Sequence, residues 1–542
     1  MEQVISAVGL LALLGLAFAF SNNHRAVNPR TLVWGMSLQM LFAVIILKEG
    51  DASFTGMFVL VFLIVLFVFE DELAAALRHP AGIGIGAFLA CGAGVAISYY
   101  LAPFGITAVV LAVVGLVWLA SFFVRGRLVE RVPRLAHLTR WSFVAVLILG
   151  LGQLIDLEID GATAFAAVSG QVAEFLSLSD EGAEFLFGNL SIPQHFFPGE
   201  GAAWPGFGYQ FAFIVLPTII FFSAFMSVMY YLGVVQVAVQ AMARFMRWSL
   251  RTSGSETLSC SANVFVGQTE APFLIKPFLK DMTPSELNAV MTGGFATIAG
   301  GVLAAYIGMG IDPTHLIAAS VMSAPAALVI AKLLYPETEE SLTAGDVDIP
   351  EVKTAGNVVE AAAEGTSDGL KLALNVGAML IAFIALVAFL DWVLAFGDRW
   401  VDHYAFGVAE MTDGEYRGWF PGSMKTLFGT ILAPLAFVMG VPWSDAMAVG
   451  NLLGTKVTIN EFVAYGFLGE HVQAGDLSER SQIIATYALC GFSNFSSIGI
   501  QIGGISALEP SLRPTLSKTA IRALFGGALA SFTTATVAGM LL

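Results

Sequence analysis

Two short polar segments stand inside sequence that otherwise belongs in lipid: Gly267-Gln268-Thr269-Glu270-Ala271-Pro272 and Asn460-Glu461-Phe462-Val463-Ala464-Tyr465. Each sets a carboxylate beside amides. An ionised side chain at the centre of a membrane helix costs roughly 2.5–3.5 kcal/mol on insertion scales. A chain accepts that cost where the residue faces a partner, a cavity or a polar solute. Gln268 can pair two atoms of a planar donor–acceptor edge, and Thr269 and Glu270 can add direct or water-bridged bonds. Glu461 can accept from two hydroxyls at once in a charge-assisted arrangement. Asn494 and Ser497 are three residues apart, so on a helix they share a face, with Phe492 nearby. Simpler roles stay open: Glu270 or Glu461 as ion-pair partner of Lys276 or Lys456, and Asn494 as a helix-to-helix bond.

The elements that must hold these residues are membrane helices. The chain has 542 residues, 57% apolar and 12% charged, where a soluble globular protein is about 25% charged. The net charge of −16 sits in connecting segments, and no basic patch with interleaved aromatics suggests nucleic acid. Cys91, Cys260 and Cys490 are scattered through apolar sequence without a CxxC pair and read as packing residues. The histidines have no metal-ligand spacing. No Ser/His or paired-Asp constellation stands at membrane depth, so the sequence reads as a non-enzyme.

Long apolar runs fall at about 4–20, 31–47, 54–69, 82–101, 104–124, 141–155, 209–233, 288–308, 314–334, 371–396, 482–506 and 519–541, about 12 membrane helices. Segments 257–279 and 426–465 are apolar but broken. The first run lacks a basic n-region, since Glu2 precedes it, and reads as a membrane helix rather than a signal peptide. Arg125, Arg127, Arg131, Arg134 and Arg140 mark one loop as cytoplasmic, as do Arg244, Arg247 and Arg251 further on. Between Arg140 and Arg244 there is no Lys or Arg, while Asp156, Glu158, Asp160, Glu174, Asp180, Glu181, Glu184 and Glu200 mark an external stretch. Segments 160–188 and 351–370 read as interfacial or surface helices.

The second half carries a weak internal repeat. Gly294-Phe295-Ala296-Thr297-Ile298-Ala299-Gly300 resembles Gly491-Phe492-Ser493-Asn494-Phe495-Ser496-Ser497. Each follows a broken apolar segment with a glutamate, and each is preceded by a Ser-Glu pair suited to opening a helix, Ser285-Glu286 and Ser478-Glu479. The two broken segments start from opposite sides on this topology. This predicts an all-α polytopic membrane protein with an inverted repeat, two re-entrant hairpins and interrupted helices, the arrangement in which secondary transporters place their sites.

At these residues the chain resembles the concentrative nucleoside transporter family, sodium-coupled type. The resemblance covers roughly residues 140–542 and also residues 1–50. It is carried by Ser261-Ala262-Asn263 leading to Gly267–Pro272, by Met291-Thr292-Gly293-Gly294-Phe295-Ala296, and by Pro336-Glu337-Thr338-Glu339. Leu372-Ala373-Leu374-Asn375-Val376-Gly377-Ala378 and Leu453-Gly454-Thr455-Lys456 complete the ordered set. The resemblance implies nucleoside import by symport with sodium through alternating access; the alternatives are proton-coupled symport or a membrane nucleoside sensor. It implies base recognition at Gly267, Gln268, Thr269, Glu270 and Val302, and ribose recognition at Glu461, Asn494 and Ser497, with Phe492 lining the pocket. It implies a sodium site from the side chains of Asn263 and Thr297 and the carbonyls of Val266 and Ile298. It also implies a homotrimer, an elevator-type movement, contact with membrane lipid, and location in the plasma membrane, the inner membrane in a Gram-negative cell.

On this reading residues 1–50 are first scaffold helices and 51–156 are additional membrane helices. Residues 157–240 are an external or interfacial segment with a scaffold helix, 241–335 transport repeat 1, 336–400 an interfacial and scaffold helix, and 401–542 transport repeat 2. The front third is the departure from the family, with six runs where a compact member would have two; Glu70, Asp71 and Glu72 lie at a helix end there, and nothing in it suggests contact with substrate.

Overall fold

The computed structural model describes residues 2–70, 80–128, 133–191, 211–343, 355–412, 414–416 and 418–542. Asp71, Glu72, Arg131 and Glu200, read above as markers, lie outside the described residues, as does part of the 351–370 segment. The described residues are mostly helical, with turns and breaks between helices, and the one strand pairing among them is Met411–Thr412 with Glu415–Tyr416. They form two compact units, Met40–Val168 and Met1–Gln39 with Ser169–Leu542.

The smaller unit contains α3 (Asp51–Val68), α4 (Pro80–Leu101), α5 (Ile106–Leu128) and α6 (Pro133–Asp156), preceded in the chain by α1 (Glu2–Ala19) and α2 (Pro29–Leu47). Six helices thus precede residue 160, as the apolar runs predict. Val65, Cys91 and Val144 form a buried cluster with Phe58, Phe62 and Phe69 packed on it. The polar links are few. Asp160 accepts from the Gly50 N–H at 2.6 Å, and Ser53 Oγ accepts from Gly161 N–H at 2.9 Å.

The chain continues with α7 (Gly161–Ser177), which belongs to the larger unit from Ser169 on, and the larger unit goes on with α8 (Ser179–Phe187), α9 (Phe211–Tyr231) and α10 (Val234–Leu250). Then come α11 (Gly254–Ala262), α12 (Ala271–Leu274), α13 (Pro284–Ala296), α14 (Gly300–Gly308) and α15 (Pro313–Leu334). After α16 (Val358–Asp398) and α17 (Met424–Val438) the same order returns: α18 (Trp443–Thr458), α19 (Glu461–Ala474), α20 (Glu479–Leu489), α21 (Phe495–Leu508) and α22 (Arg513–Leu541). A hairpin, an interrupted helix and a long buried helix therefore occur twice. The predicted runs 288–308 and 482–506 are each a broken pair. β-Branched Thr297 and Ile298 followed by Gly300-Gly301 disfavour continuation at the first break. At the second, Gly491 turns the chain and Asn494 caps α21 by accepting from Ser497 N–H at 2.9 Å.

Two expectations change. Residues 358–370 do not form a separate surface helix; they run unbroken into the 371–396 span as α16, 41 residues and about 62 Å long at 1.5 Å per residue. Gly365 and Gly369 do not break it. They let α9 approach, since a Cβ on Gly365 would meet the Ser223 carbonyl at 2.7 Å and one on Gly369 the Ile220 Cα at 2.8 Å. Secondly, among the described residues nine helices are long and apolar enough to cross a membrane, or ten if α17 and α18, bent by 116°, count as one span.

The starts of α11 and α13 are clamped together. Each opens with a capping box, Ser253 with Glu256 and Thr283 with Glu286, so Thr283 rather than Ser285 is the first cap. Lys332 Nζ lies 2.7 Å from a Glu256 oxygen and donates to Ser285 Oγ at 2.9 Å. Ser341 and Thr343 both donate to Glu286 at 2.6 Å, and Thr283 Oγ1 donates to Glu337 at 2.7 Å. This gives the Pro336–Glu339 motif a role in the fold.

The first two helices are tied to later parts of the chain. Ser6 Oγ donates to the Met439 carbonyl at 3.1 Å, Arg480 reaches Glu2 at 3.3 Å, and Gln39 Nε2 donates to Thr534 Oγ1 at 2.7 Å. The first helix packs along α22, so its packing partners are helices of the repeats.

Candidate functional site

Four irregular segments converge: the tip between α11 and α12 (residues 263–270), the α13–α14 break (297–299), the α18–α19 break at Ile459-Asn460, and the α20–α21 break (490–494). The two interrupted helices meet where the Phe492 N–H donates to the Thr297 carbonyl at 3.2 Å. Gly491 has φ +142° there, and a Cβ on it would stand 2.7 Å from the Phe295 carbonyl oxygen. Only glycine fits that crossing.

A cavity of about 190 Å³ opens at the convergence. All nine residues expected at the substrate site line it: Gly267, Gln268, Thr269 and Glu270 from the tip, Val302 from α14, Glu461 from α19, and Phe492, Asn494 and Ser497 from the second break and α21. A larger space of about 600 Å³ adjoins it, sharing Gly267, Glu270, Ala299 and Leu372.

Glu461 is the most constrained member. Asn460 caps α19 by accepting from Val463 N–H at 2.9 Å, which puts Glu461 in the first helical turn, where the helix dipole favours a carboxylate. It is 4% exposed. Tyr306 OH donates to one carboxylate oxygen at 3.3 Å and Asn494 Nδ2 to the other at 3.0 Å. Tyr306 is held in turn by stacking on Tyr465 at 4.2 Å. Asn494 therefore lines the cavity and also bonds one element to another. Lys456 does not pair with Glu461; it donates to the Ala488 carbonyl at 2.8 Å. Glu270 accepts from the Gly267 N–H, folding its carboxylate against the tip rather than onto Lys276.

Gln268 is braced on both sides. Its Nε2 donates to Ser497 Oγ at 3.3 Å and its Oε1 accepts from Gln501 Nε2 at 3.0 Å. One amide hydrogen and one lone pair remain for a solute. Gln501, which also reaches the Met291 carbonyl at 3.1 Å, was not anticipated. Its signal was the four-residue step from Ser497 to Gln501, which places both on one helix face. Leu372 and Val376 of α16, another four-residue step, also line the cavity. Tyr306 gave no signal, because only the fold brings it to Glu461.

The expected ion ligands lie beside this cavity. Asn263 ends α11 and is 1% exposed; its Nδ2 donates to the Ser259 carbonyl at 3.0 Å, while its Oδ1 is buried without a hydrogen-bond partner. Thr297 ends α13, with Oγ1 donating to the Gly293 carbonyl at 2.9 Å. Val266 and Ile298 belong to the tip and the first break. An orphaned amide oxygen, a hydroxyl and non-helical carbonyls fit a small monovalent cation, because they offer oxygens without fixed charge. Among the described residues no three His, Cys, Asp or Glu converge as metal ligands.

Interrupted helices and re-entrant hairpins around one polar cavity define a secondary active transporter. Models of the sodium-dependent nucleoside transporter N-terminus, of the nucleoside recognition "Gate" domain and of the sodium-dependent nucleoside transporter C-terminus match residues 8–50, 212–312 and 315–539. The chain is 41% identical over 396 residues to an uncharacterised transporter of Haemophilus influenzae, covering 72% of this chain and 88% of that protein. It is 42% identical over 423 residues to sodium/nucleoside cotransporter 1 of Mus musculus, 74% of this chain but 59% of the mouse protein's length. CNTnw in an inward-facing substrate-bound state superposes with a TM-score of 0.70 at 30% identity, covering 100% of this chain and 98% of that one. A CNTnw variant in an outward-facing state gives 0.70 at 29% identity with the same coverage. The chain belongs to the concentrative nucleoside transporter family, the multi-pass membrane symporters that couple nucleosides to sodium by alternating access.

Proposed function

We propose that the 190 Å³ cavity binds one nucleoside for import with sodium, the base against Gly267–Glu270 and Val302 and the ribose hydroxyls on Glu461, Asn494 and Ser497. The observation that carries this reading is the gathering of all nine residues, from four separate elements, around one cavity. A nucleoside offers a planar edge of donors and acceptors and a pair of ribose hydroxyls; Gln268 suits the first and the doubly held Glu461 the second. Phe492 supplies an apolar wall. Uptake of radiolabelled uridine and adenosine into proteoliposomes, with and without a sodium gradient, tests it. Uptake driven by a proton gradient without sodium would overturn the ion, and binding without uptake would overturn the carrier.

The coupling ion is assigned to Asn263, Thr297 and the carbonyls of Val266 and Ile298. The Thr297 carbonyl bonded to Phe492 N–H links the ion ligands to the substrate wall, a route by which either occupant can stabilise the other. Asn263→Ala or Thr297→Ala is expected to raise the sodium concentration for half-maximal nucleoside binding severalfold, with less effect at saturating sodium. Titration of binding to purified protein against sodium checks this; equal loss at all sodium concentrations would count against the assignment.

In the cell the protein is assigned to the plasma membrane, or the inner membrane of a Gram-negative organism, with lipid around its apolar helices and a homotrimeric state. The repeats at 241–335 and 401–542 are the parts assigned to elevator-type movement, and the helices at 51–156 to static scaffold. Native mass spectrometry from mild detergent is expected to give three chains per particle; a monomer would refute the trimer.

A further inference from the structure

Lys456 is the buried charge that the reading above leaves unused. It lies in the last turn of α18 at 0% exposure. Its Nζ donates to the Ala488 carbonyl at 2.8 Å and stands 5.6 Å from the centroid of the Phe532 ring. It forms no ion pair with Glu461. A buried ammonium needs an acceptor of negative character. Ala488 is one residue from the end of α20, and the chain leaves the helix at Cys490. Its carbonyl therefore lacks the helical N–H four residues on, and it sits at the negative end of the helix dipole. The aromatic face adds a cation–π contact.

The position of this ammonium within its repeat is informative. It bridges the last turn of the hairpin's first helix, α18, to the broken end of the next helix pair, at α20. In the first repeat the same place lies between the end of α11, at Asn263, and the broken end of α13, at Thr297 and Ile298. That is where the sodium donors are assigned. We propose that Lys456 is a built-in cation, its ammonium taking in the second repeat the place that sodium takes in the first. It is a positioning residue: it holds the end of α20, from which Cys490 to Asn494 carry Phe492 and Asn494 into the cavity. The second repeat then carries its own cationic group at this point, and the first responds to sodium. The inference rests on the sodium reading of Asn263 and Thr297.

Lys456→Met keeps the side-chain length and removes the charge; Lys456→Ser removes both and leaves room for a small cation. Binding of uridine and adenosine to purified full-length protein is measured against sodium, ammonium and methylammonium, with melting temperature as the control for folding. Lys456→Met is expected to bind nucleoside at least about tenfold more weakly at saturating sodium. Lys456→Ser is expected to recover binding as ammonium, methylammonium or further sodium is added, with a steeper sodium dependence than the parent protein. Wild-type affinity and an unchanged sodium curve in Lys456→Met would overturn the proposal. So would a folded Lys456→Ser protein that none of the three cations rescues. If Lys456→Ser does not purify as a single species, methylammonium present throughout purification is expected to restore it, and failure to do so also overturns the idea. Asn263→Ala separates the two readings. An unshifted sodium curve in that variant defeats the sodium assignment, whereas the Lys456 result is read from ammonium and methylammonium rescue.

Discussion

Glu461→Gln is expected to nearly abolish nucleoside uptake at sub-saturating nucleoside while leaving the folded protein intact. The two carboxylate oxygens accept from Tyr306 OH and Asn494 Nδ2. Glutamine can keep both contacts: its carbonyl oxygen accepts from Asn494, and the Tyr306 hydroxyl rotates to accept from its NH₂. The fold therefore loses little, whereas the ribose hydroxyls lose a charged acceptor. A hydrogen bond to a charged group contributes about 1.5–3 kcal/mol, roughly a tenfold to hundredfold loss of affinity. Melting temperature and nucleoside binding, measured on one preparation, separate the two effects. An unchanged binding constant would remove Glu461 from the ribose site, and a collapsed melting temperature would make it a structural residue.

Gly491→Ala is expected to damage folding and binding together. The new Cβ would fall 2.7 Å from the Phe295 carbonyl oxygen and 2.8 Å from Ser531 Oγ, at a φ of +142° that side chains avoid. Backbone strain of this kind costs about 1–3 kcal/mol, and the clash adds to it because the nearest atom is main chain. Relief requires the two breaks to part, which separates Phe492 N–H from the Thr297 carbonyl. A lower melting temperature with a raised sodium requirement is the expected pair of results. A variant that matches the parent in both would show that the crossing has slack.

The sequence exposed the parts of this site that stand out against lipid. Gln268, Glu270 and Glu461 are conspicuous because polar groups in apolar runs require a partner, and the glycines and asparagines at the breaks signal where helices stop. What it did not expose was partnership. Tyr306 and Tyr465 read as ordinary aromatic core, yet one bonds Glu461 and the other supports the first by stacking. Gln501 is a single amide in an otherwise apolar run, where composition dilutes it. The 358–396 segment reads as two elements because its polar start resembles a surface helix; charge composition reports environment along a helix, not where the helix begins.

The attachment of the first two helices has a consequence for how the molecule is made. Ser6 finds its acceptor 433 residues downstream, and Gln39 pairs 495 residues downstream. A chain emerging from the ribosome presents its first helix to the bilayer long before Met439, Arg480 or Thr534 exists. Until the last helix is synthesised, the Gln39 amide waits at membrane depth for its partner. Such distant pairings close late and slowly. A nascent chain that stops short of α22 would leave the Gln39 Nε2 without its Thr534 acceptor.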